Sequence, residues 1–98
     1  MKLRVARRAI ADVDMLKTES LERWGARQTN RYLNALNATI ARVIVTPLHF
    51  PSVHDWPPYR RARAGRHLVI FRVDEDAYEV VIVRILHERM DVDAQLDG

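Results

Sequence analysis

The chain has 98 residues, of which 48% are apolar and 30% are charged, a composition that indicates one folded domain over residues 1–98 and excludes a disordered tail or a repetitive fibre. Cysteine is absent, which excludes disulfides and thiolate catalysis, and no apolar run approaches the ~20 residues of a membrane-spanning helix. The net charge is +3, and 14 of the 16 basic residues are arginine. Arginine suits carboxylates and phosphates, although codon usage accounts for such an excess equally well.

The first half of the chain predicts a short strand followed by two helices. Residues 2–6 alternate polar and apolar side chains, and residues 9–24 and 26–45 repeat apolar residues at helical spacing on either side of Gly25, a typical helix stop. We place Ile10, Val13, Leu16, Ser20, Leu21 and Trp24 on the buried side of the first helix, and Asp12, Glu19, Glu22 and Arg23 on the opposite side. Two such helices form an antiparallel hairpin that needs a partner layer.

The second half predicts an irregular loop and three strands. All four prolines lie within residues 47–58, and we interpret 46–58 as an ordered loop because proline fits neither a helix interior nor a central strand. Residues 59–63, 67–73 and 78–87 are typical of strands joined by short hairpin turns, and the tail from residue 90 has room for one helical turn. The fold class is therefore α+β: an N-terminal strand, a helical hairpin and a three-stranded antiparallel meander, in the order β-α-α-β-β-β.

Signatures of common enzyme classes are weak. The four histidines (His49, His54, His67 and His87) do not share a helical metal-ligand spacing, so we expect no metal site. Neither serine lies on a nucleophile turn, and three distant glycines cannot form a phosphate-binding loop, so we expect no cofactor. The charged N-terminus lacks the apolar stretch of a secretory signal, and we expect a cytoplasmic protein with no membrane partner.

Arginines gather on the first strand of the meander and its turn. Arg60, Arg61, Arg63 and Arg66 have no acid among them. Side chains alternate along a strand, so Arg61 and Arg63 share one face and Arg60 lies on the other. This pattern is typical of a charged edge strand that resists aggregation, and also of an electrostatic patch for nucleic acid or an acidic protein.

The last strand carries a charge in its most apolar segment and a polar cluster at its end. Arg84 interrupts residues 80–86, and an unpaired charge there costs several kcal/mol, so it must meet an acid or reach solvent at a groove. His87, Glu88, Arg89 and Asp91 follow at the strand end. Such groups support acid–base chemistry on a phosphodiester, or simply form a hydrogen-bonded strand terminus.

Several blocks resemble the ParE-type toxins of the RelE/ParE superfamily of bacterial toxin–antitoxin modules. They are Arg-Ile-Leu-His-Glu-Arg-Met-Asp at 84–91, Trp-Gly-Ala-Arg-Gln-Thr-Asn-Arg-Tyr at 24–32, His-Leu-Val-Ile-Phe-Arg-Val at 67–73, and the opening with Ala9, Asp12 and Val13. The resemblance covers almost the whole chain in the right order. It implies the β-α-α-β-β-β fold already predicted from the residues.

The resemblance implies one of two activities. ParE-like members inhibit DNA gyrase without a known nuclease site, whereas RelE-like members are ribosome-dependent mRNA endonucleases. Leu68 stands about where a nuclease arginine is expected, the tail after Asp91 has neither Tyr nor His, and the strand end holds a single imidazole, so the gyrase branch is favoured and no enzymatic activity is expected. The gyrase-binding residues are then Arg84, His87, Glu88, Arg89 and Asp91. In the ribonuclease alternative the catalytic residues are Arg84, His87 and Arg89.

The resemblance also implies a cognate ParD-like antitoxin of the ribbon-helix-helix type. The toxin is expected to form a hetero-oligomer with this antitoxin and to reach operator DNA only through it. A free toxin should expose an apolar groove beside sheet and helices, and an acidic antitoxin segment suits the arginine excess. The expected antitoxin-binding residues are Arg60, Arg61, Arg63, Arg66 and Phe71. An inert relative that kept only antitoxin binding is a third alternative.

Overall fold

The computed structural model describes residues 1–97 as a five-stranded sheet with a helical hairpin packed on one face. The elements are β1 (Lys2–Val5), α1 (Arg7–Trp24), α2 (Ala26–Val45), a 3-10 turn (Pro47–His49), β2 (Ser52–Val53), β3 (Trp56–Ala64), β4 (His67–Asp74), β5 (Glu79–His87) and α3 (Val92–Asp97). The predicted α+β order is confirmed, with the two-residue β2 added before the meander. No helix among these residues is long and apolar enough to cross a membrane.

The sheet has the order β1-β5-β4-β3-β2. Strands β3, β4 and β5 form the predicted antiparallel meander, and β1 pairs in parallel with the first half of β5. The parallel pairing follows from the helical hairpin, which carries the chain away from β1 before the meander begins. Beyond Ile82, β5 has no strand on its outer side, because β1 ends at Val5 and the Ala6 N–H bonds the Ile82 carbonyl.

The main core lies between the hairpin and the sheet. Ala9, Leu16, Leu36 and Val43 of the helices pack on Ala62, Ala64, Val69, Phe71, Val80, Ile82 and Ile85 of the strands. The buried side of α1 differs from the prediction, since Trp24 and Ile10 are 53% and 51% exposed and Leu21 is also exposed. Ala9, Leu16 and Ser20 are the buried residues of α1 instead. Two of these three are small, which allows the helix backbone to approach the sheet closely.

The second face of the sheet has its own apolar cluster. Val53, Ile70 and Leu86 are buried there, and Val92 and Leu96 of α3 pack against them. The C-terminal helical turn therefore exists and partly covers this face. An apolar strand such as β5, covered on both faces, reads as a nearly continuous apolar run rather than an alternating one.

The interpretation of 46–58 as a loop is right at its start, since α2 ends at Val45, and wrong at its end. A 3-10 turn begins at Pro47, and β3 begins at Trp56, so that Pro57 and Pro58 lie within a strand. The strand tolerates both prolines because its pairing with β4 begins only at Tyr59. The missing N–H groups therefore interrupt no bonds to that neighbour, as is usual for proline at a sheet edge.

Candidate functional site

Arg84 is held in an ion pair that joins three elements. Its Nε and Nη2 donate to the two carboxylate oxygens of Asp12 at 2.8 and 2.9 Å, and its Nη1 donates to Gln95 Oε1 at 3.1 Å. The side chains of Arg84 and Asp12 are only 11% and 16% exposed. The hydrogen bond from Arg84 to Asp12 raises the pKa of the guanidinium. The structural ion pair predicted for Arg84 is thus present.

The local backbone explains why Asp12 and Arg84 meet. The register of β4 and β5 shifts between Ile70 and Phe71, which leaves Val83 as an extra residue in β5. Such a bulge changes the direction of the next side chain, which is that of Arg84. Asp12 Oδ2 also accepts the Ile85 N–H at 2.9 Å, at the outer edge of β5 where β1 has ended. The placement of Asp12 on the solvent side of α1 is therefore wrong, because this carboxylate completes the sheet edge.

The turn after β5 is exposed and tightly held. The Glu88 N–H bonds the Arg66 carbonyl at 2.8 Å, the Arg89 N–H bonds His87 Nδ1 at 3.1 Å, and the Met90 N–H bonds the His87 carbonyl at 2.9 Å. Asp91 Oδ1 accepts the N–H groups of the first turn of α3. Residues 88–91 are all exposed. The turn therefore presents the side chains of Arg89 and Met90 from a fixed backbone.

The arginines of β3 divide as the alternation predicts. Arg63 Nη1 donates to Glu88 Oε2 at 2.7 Å, and Arg66 approaches Glu88 Oε1 at 4.0 Å. The hydrogen bond from Arg63 lowers the pKa of Glu88. On the other face, Arg60 donates to the Phe50 carbonyl at 2.7 Å. Arg61 is exposed, its backbone N–H bonds the Pro51 carbonyl at 3.0 Å, and its side chain makes no hydrogen bond or ion pair within residues 1–97.

Two histidines and a tyrosine meet beside this turn. His67 and His87 are cross-strand partners, and their ring centroids lie 5.3 Å apart at 84°. The Tyr32 hydroxyl lies 2.6 Å from His67 Nδ1 and 3.1 Å from the Ala64 carbonyl, and it accepts the Arg66 N–H at 2.9 Å. Burial, and next the charge of His87, lower the pKa of His67.

Gly65 allows the tyrosine to come this close. Its φ is +60°, and a Cβ built at this position would lie 2.8 Å from both Cε1 and the hydroxyl oxygen of Tyr32. The glycine thus permits the turn between β3 and β4 and leaves room for the ring. The histidine pair could be inferred from strand order, since His67 begins β4 and His87 ends β5, but no residue pattern points to Tyr32.

A cleft opens above these rings at the tip of the helical hairpin. It has a volume of about 580 Å³ and is lined, among others, by Glu19, Trp24, Tyr32, Arg66, His67 and His87. We call it the hairpin-tip cleft. Trp24 lies at its α1 side with the Arg23 guanidinium 5.4 Å from the ring centroid, so the expected packing of Trp24 into the hairpin is replaced by an exposed ring beside a cavity.

The structure brings together some of the predicted site residues and separates others. His87, Glu88 and Arg89 lie at the strand end, with Arg63 and Arg66 beside Glu88. Arg84 and Asp91 have structural partners of their own. Phe71, expected at the antitoxin surface, is 0% exposed and packs edge-to-face on Phe50, because it faces the hairpin from a central strand.

The two-layer fold, with a parallel β1 beside an antiparallel meander, is similar to the fold of solved toxin–antitoxin structures. The family model described as ParE toxin of type II toxin-antitoxin system, parDE, matches residues 3–92. The chain therefore belongs to the ParE toxin family, as the resemblance of its blocks implied.

Relatives and solved structures agree with this assignment. The chain is 38% identical to Toxin ParE1 of Caulobacter vibrioides over 94 residues, covering 95% of each chain, and 34% identical to Toxin ParE of Escherichia coli over 89 residues, covering 90% of this chain and 85% of the other. A structure of the chromosomal ParDE TA system from P. aeruginosa matches with a TM-score of 0.76 at 20% identity, covering 89% of this chain and 95% of that one. The YoeB/ParE toxin from Agrobacterium tumefaciens matches with a TM-score of 0.63 at 19% identity, covering 89% and 98%.

Proposed function

We propose that this ParE-family toxin acts in the cytoplasm by binding and inhibiting DNA gyrase, and that a ParD-like antitoxin of the ribbon-helix-helix type neutralises it. The observation that carries the proposal is the family match over residues 3–92, which includes every strand of the sheet. A protein of this kind needs a rigid exposed surface rather than a reaction centre. The turn at residues 88–91 is such a surface.

The gyrase-facing surface is proposed at the end of β5. Arg89 and Met90 have exposed side chains on the fixed turn, and arginine and methionine are both enriched in protein interfaces. Glu88 and His87 extend this surface along the strand end. Arg84 and Asp91 hold this surface in position. Arg84 ties β5 to α1, and the Asp91 side chain accepts a hydrogen bond from the first turn of α3.

The antitoxin surface is proposed on the arginines of β3 and on exposed apolar residues of β1 and α1. Arg61 and Arg63 lie on the face of β3 that is turned away from the helical hairpin, with Arg66 at the turn, and Arg60 reaches the rim of the loop after α2. Large apolar side chains are also exposed on β1 and on α1, among them Leu3, Val5, Ile10 and Leu21. An antitoxin segment with acidic and apolar residues complements both features.

The ribonuclease alternative gains one specific observation. The single imidazole read from the strand end is joined in space by His67 and by the Tyr32 hydroxyl. A metal-free ribonuclease requires one group to accept the proton of the 2′-hydroxyl, another to give a proton to the leaving oxygen, and a cation on the phosphate. Two imidazoles and Arg66 meet that requirement, so this second function is tested beside the first.

The experiment measures both activities with one purified toxin. In the gyrase function, the toxin inhibits supercoiling of relaxed plasmid by gyrase, added antitoxin restores it, and ribosome-bound mRNA stays intact. Cleavage of ribosome-bound mRNA that is lost in His87→Ala, with gyrase unaffected, would overturn the gyrase function and establish the ribonuclease. A toxin that binds its antitoxin but shows neither activity would be the inert relative.

A further inference from the structure

The hairpin-tip cleft has the dimensions of a ligand site and is separate from the exposed face of the turn at 88–91. Its volume of about 580 Å³ falls within the roughly 300–1,000 Å³ of small-molecule sites. Four elements build it: the end of α1, the second turn of α2, and the adjoining ends of β4 and β5. Neither the gyrase-facing nor the antitoxin-facing surface requires such a cavity.

One imidazole in this cleft is fixed as a hydrogen-bond donor. His87 Nδ1 accepts the Arg89 N–H, so a neutral His87 carries its proton on Nε2. The Tyr32 hydroxyl donates its single proton to the Ala64 carbonyl, so His67 Nδ1 donates to the hydroxyl oxygen and a neutral His67 carries no proton on Nε2. Neither Nε2 has a hydrogen-bond partner within residues 1–97. With the Arg66 guanidinium, the sheet side of the cleft offers donors that suit an oxyanion.

The α1 side of the cleft suits an aromatic base. Trp24 is 53% exposed, and an exposed ring is a stacking surface for bases of any sequence. Arg23 already covers part of this ring. Glu19 and Glu22 line the same side, and a carboxylate accepts hydrogen bonds from the exocyclic amino group of a base such as cytosine.

We propose that the hairpin-tip cleft binds one unpaired nucleotide of a nucleic-acid strand, with the phosphate at Arg66 and His87 and the base stacked on Trp24. The two glutamates favour bases with an amino group over uracil and thymine. The site adds nucleic-acid binding to a protein whose proposed function requires only protein partners.

The test titrates the toxin into fluorescently labelled hexacytidylate in its ribo and deoxy forms and follows anisotropy at moderate salt. We expect saturable binding that is competed by CMP more strongly than by UMP or by inorganic phosphate, and the two sugars identify whether RNA or DNA is preferred. Trp24→Ala and Arg66→Ala should each weaken binding on the order of tenfold, since one stacked base is worth about 1–3 kcal/mol.

Matched variants separate a site from general attraction. Arg61→Ala removes the same charge from β3 outside the cleft and should leave affinity within about twofold. Glu19→Gln/Glu22→Gln should tighten binding and reduce the preference of CMP over UMP. Equal losses in Arg61→Ala and Arg66→Ala, no saturable binding, or an unchanged affinity in Trp24→Ala would each overturn the proposal. Thermal melts of Trp24→Ala and Arg66→Ala serve as the folding control, and both variants should remain folded because the two side chains are exposed.

Discussion

Arg84 and Asp12 form a two-point ion pair across 72 positions of the chain, with Nε–Oδ2 and Nη2–Oδ1 distances of 2.8 and 2.9 Å. The same carboxylate takes the N–H of Ile85, and the same guanidinium reaches Gln95 on α3. The pair therefore closes the open edge of β5 and fastens both α1 and α3 to it. Any partner surface at the end of β5 depends on this anchor for its position.

Breaking the pair from one side should destabilise the fold strongly. Asp12→Ala leaves the guanidinium and the Ile85 N–H without their acceptor, and Arg84→Ala leaves a buried carboxylate. Each should lower the free energy of unfolding by about 3 kcal/mol, at the lower end for buried pairs because both side chains keep some exposure. Urea denaturation measures this.

The double variant provides the control for that prediction. Asp12→Leu/Arg84→Met replaces both charges with apolar groups and should lose less stability than either single alanine variant. If this double variant loses as much stability as the two alanine variants together, this account of the β5 edge is wrong.

Amphipathic spacing places both Trp24 and Leu16 on the buried side of α1, but we expect Leu16 to contribute much more to stability than Trp24. Leu16 is buried and Trp24 is half-exposed, so Leu16→Ala should cost about 2–5 kcal/mol and Trp24→Ala less than about 1 kcal/mol. Thermal melts of the two variants test this order directly. A larger loss in Trp24→Ala would mean that the ring packs into the hairpin after all.

These residues show how far the sequence could predict the fold and the site. The element order and the core strands could be predicted from the spacing of apolar residues and from the turn residues. The strand β5 is apolar along its length, and Gly25 separates the two helices. The orientation of α1 did not, since helical spacing cannot distinguish a side that faces the sheet from one that lines a cleft. The position of Asp12 was predicted wrongly for a related reason. Its ion pair with Arg84 depends on a bulge at Val83, and no residue pattern predicts that bulge. His67 and His87 meet through strand register, which was predicted only approximately.

Stability should fall in mild acid because of His67. Burial and the neighbouring His87 hold its pKa below 6.5 in the folded protein, against the opposing charges of Glu19, Glu88 and Asp12. The unfolded chain therefore binds the proton first, and the stability present above pH 6.5 is lost as pH falls through the folded pKa. Melts from pH 8 to 5 should show a lower Tm below about pH 6.5.

The comparison variant for this pH effect is His54→Gln, which removes an imidazole whose side chain is 97% exposed. It should retain the full acid-induced loss of Tm, whereas His67→Gln should reduce that loss. An equal pH dependence of wild type and His67→Gln between pH 8 and 5 would assign the effect to other groups.

Charge reversal on β3 should weaken antitoxin binding. Arg61→Glu and Arg63→Glu turn the exposed face of this strand from basic to acidic, and in the proposed complex they repel an acidic antitoxin segment. The loss of affinity should be greatest at low salt, where screening is weakest. Arg31→Glu, on the exposed side of α2, makes the same charge change elsewhere and should have a small effect in titration calorimetry. Unchanged affinity of the β3 variants at both low and high salt would remove this face from the interface.

Arg89→Ala should reduce gyrase inhibition without loss of stability. The side chain is exposed on a turn whose backbone is fixed by hydrogen bonds from Glu88, Arg89 and Met90, so truncation removes a contact group and leaves the turn in place. Arginine at the centre of an interface is worth about 2 kcal/mol or more, which corresponds to at least a tenfold higher toxin concentration for half-maximal inhibition of supercoiling. Arg31→Ala, with an equally exposed arginine on α2, should inhibit like wild type and show that net charge is not the cause. Antitoxin affinity of Arg89→Ala should also be unchanged, because the proposed antitoxin surface is carried by β3 and α1. Full inhibition by a folded Arg89→Ala would move the gyrase-facing surface away from the end of β5.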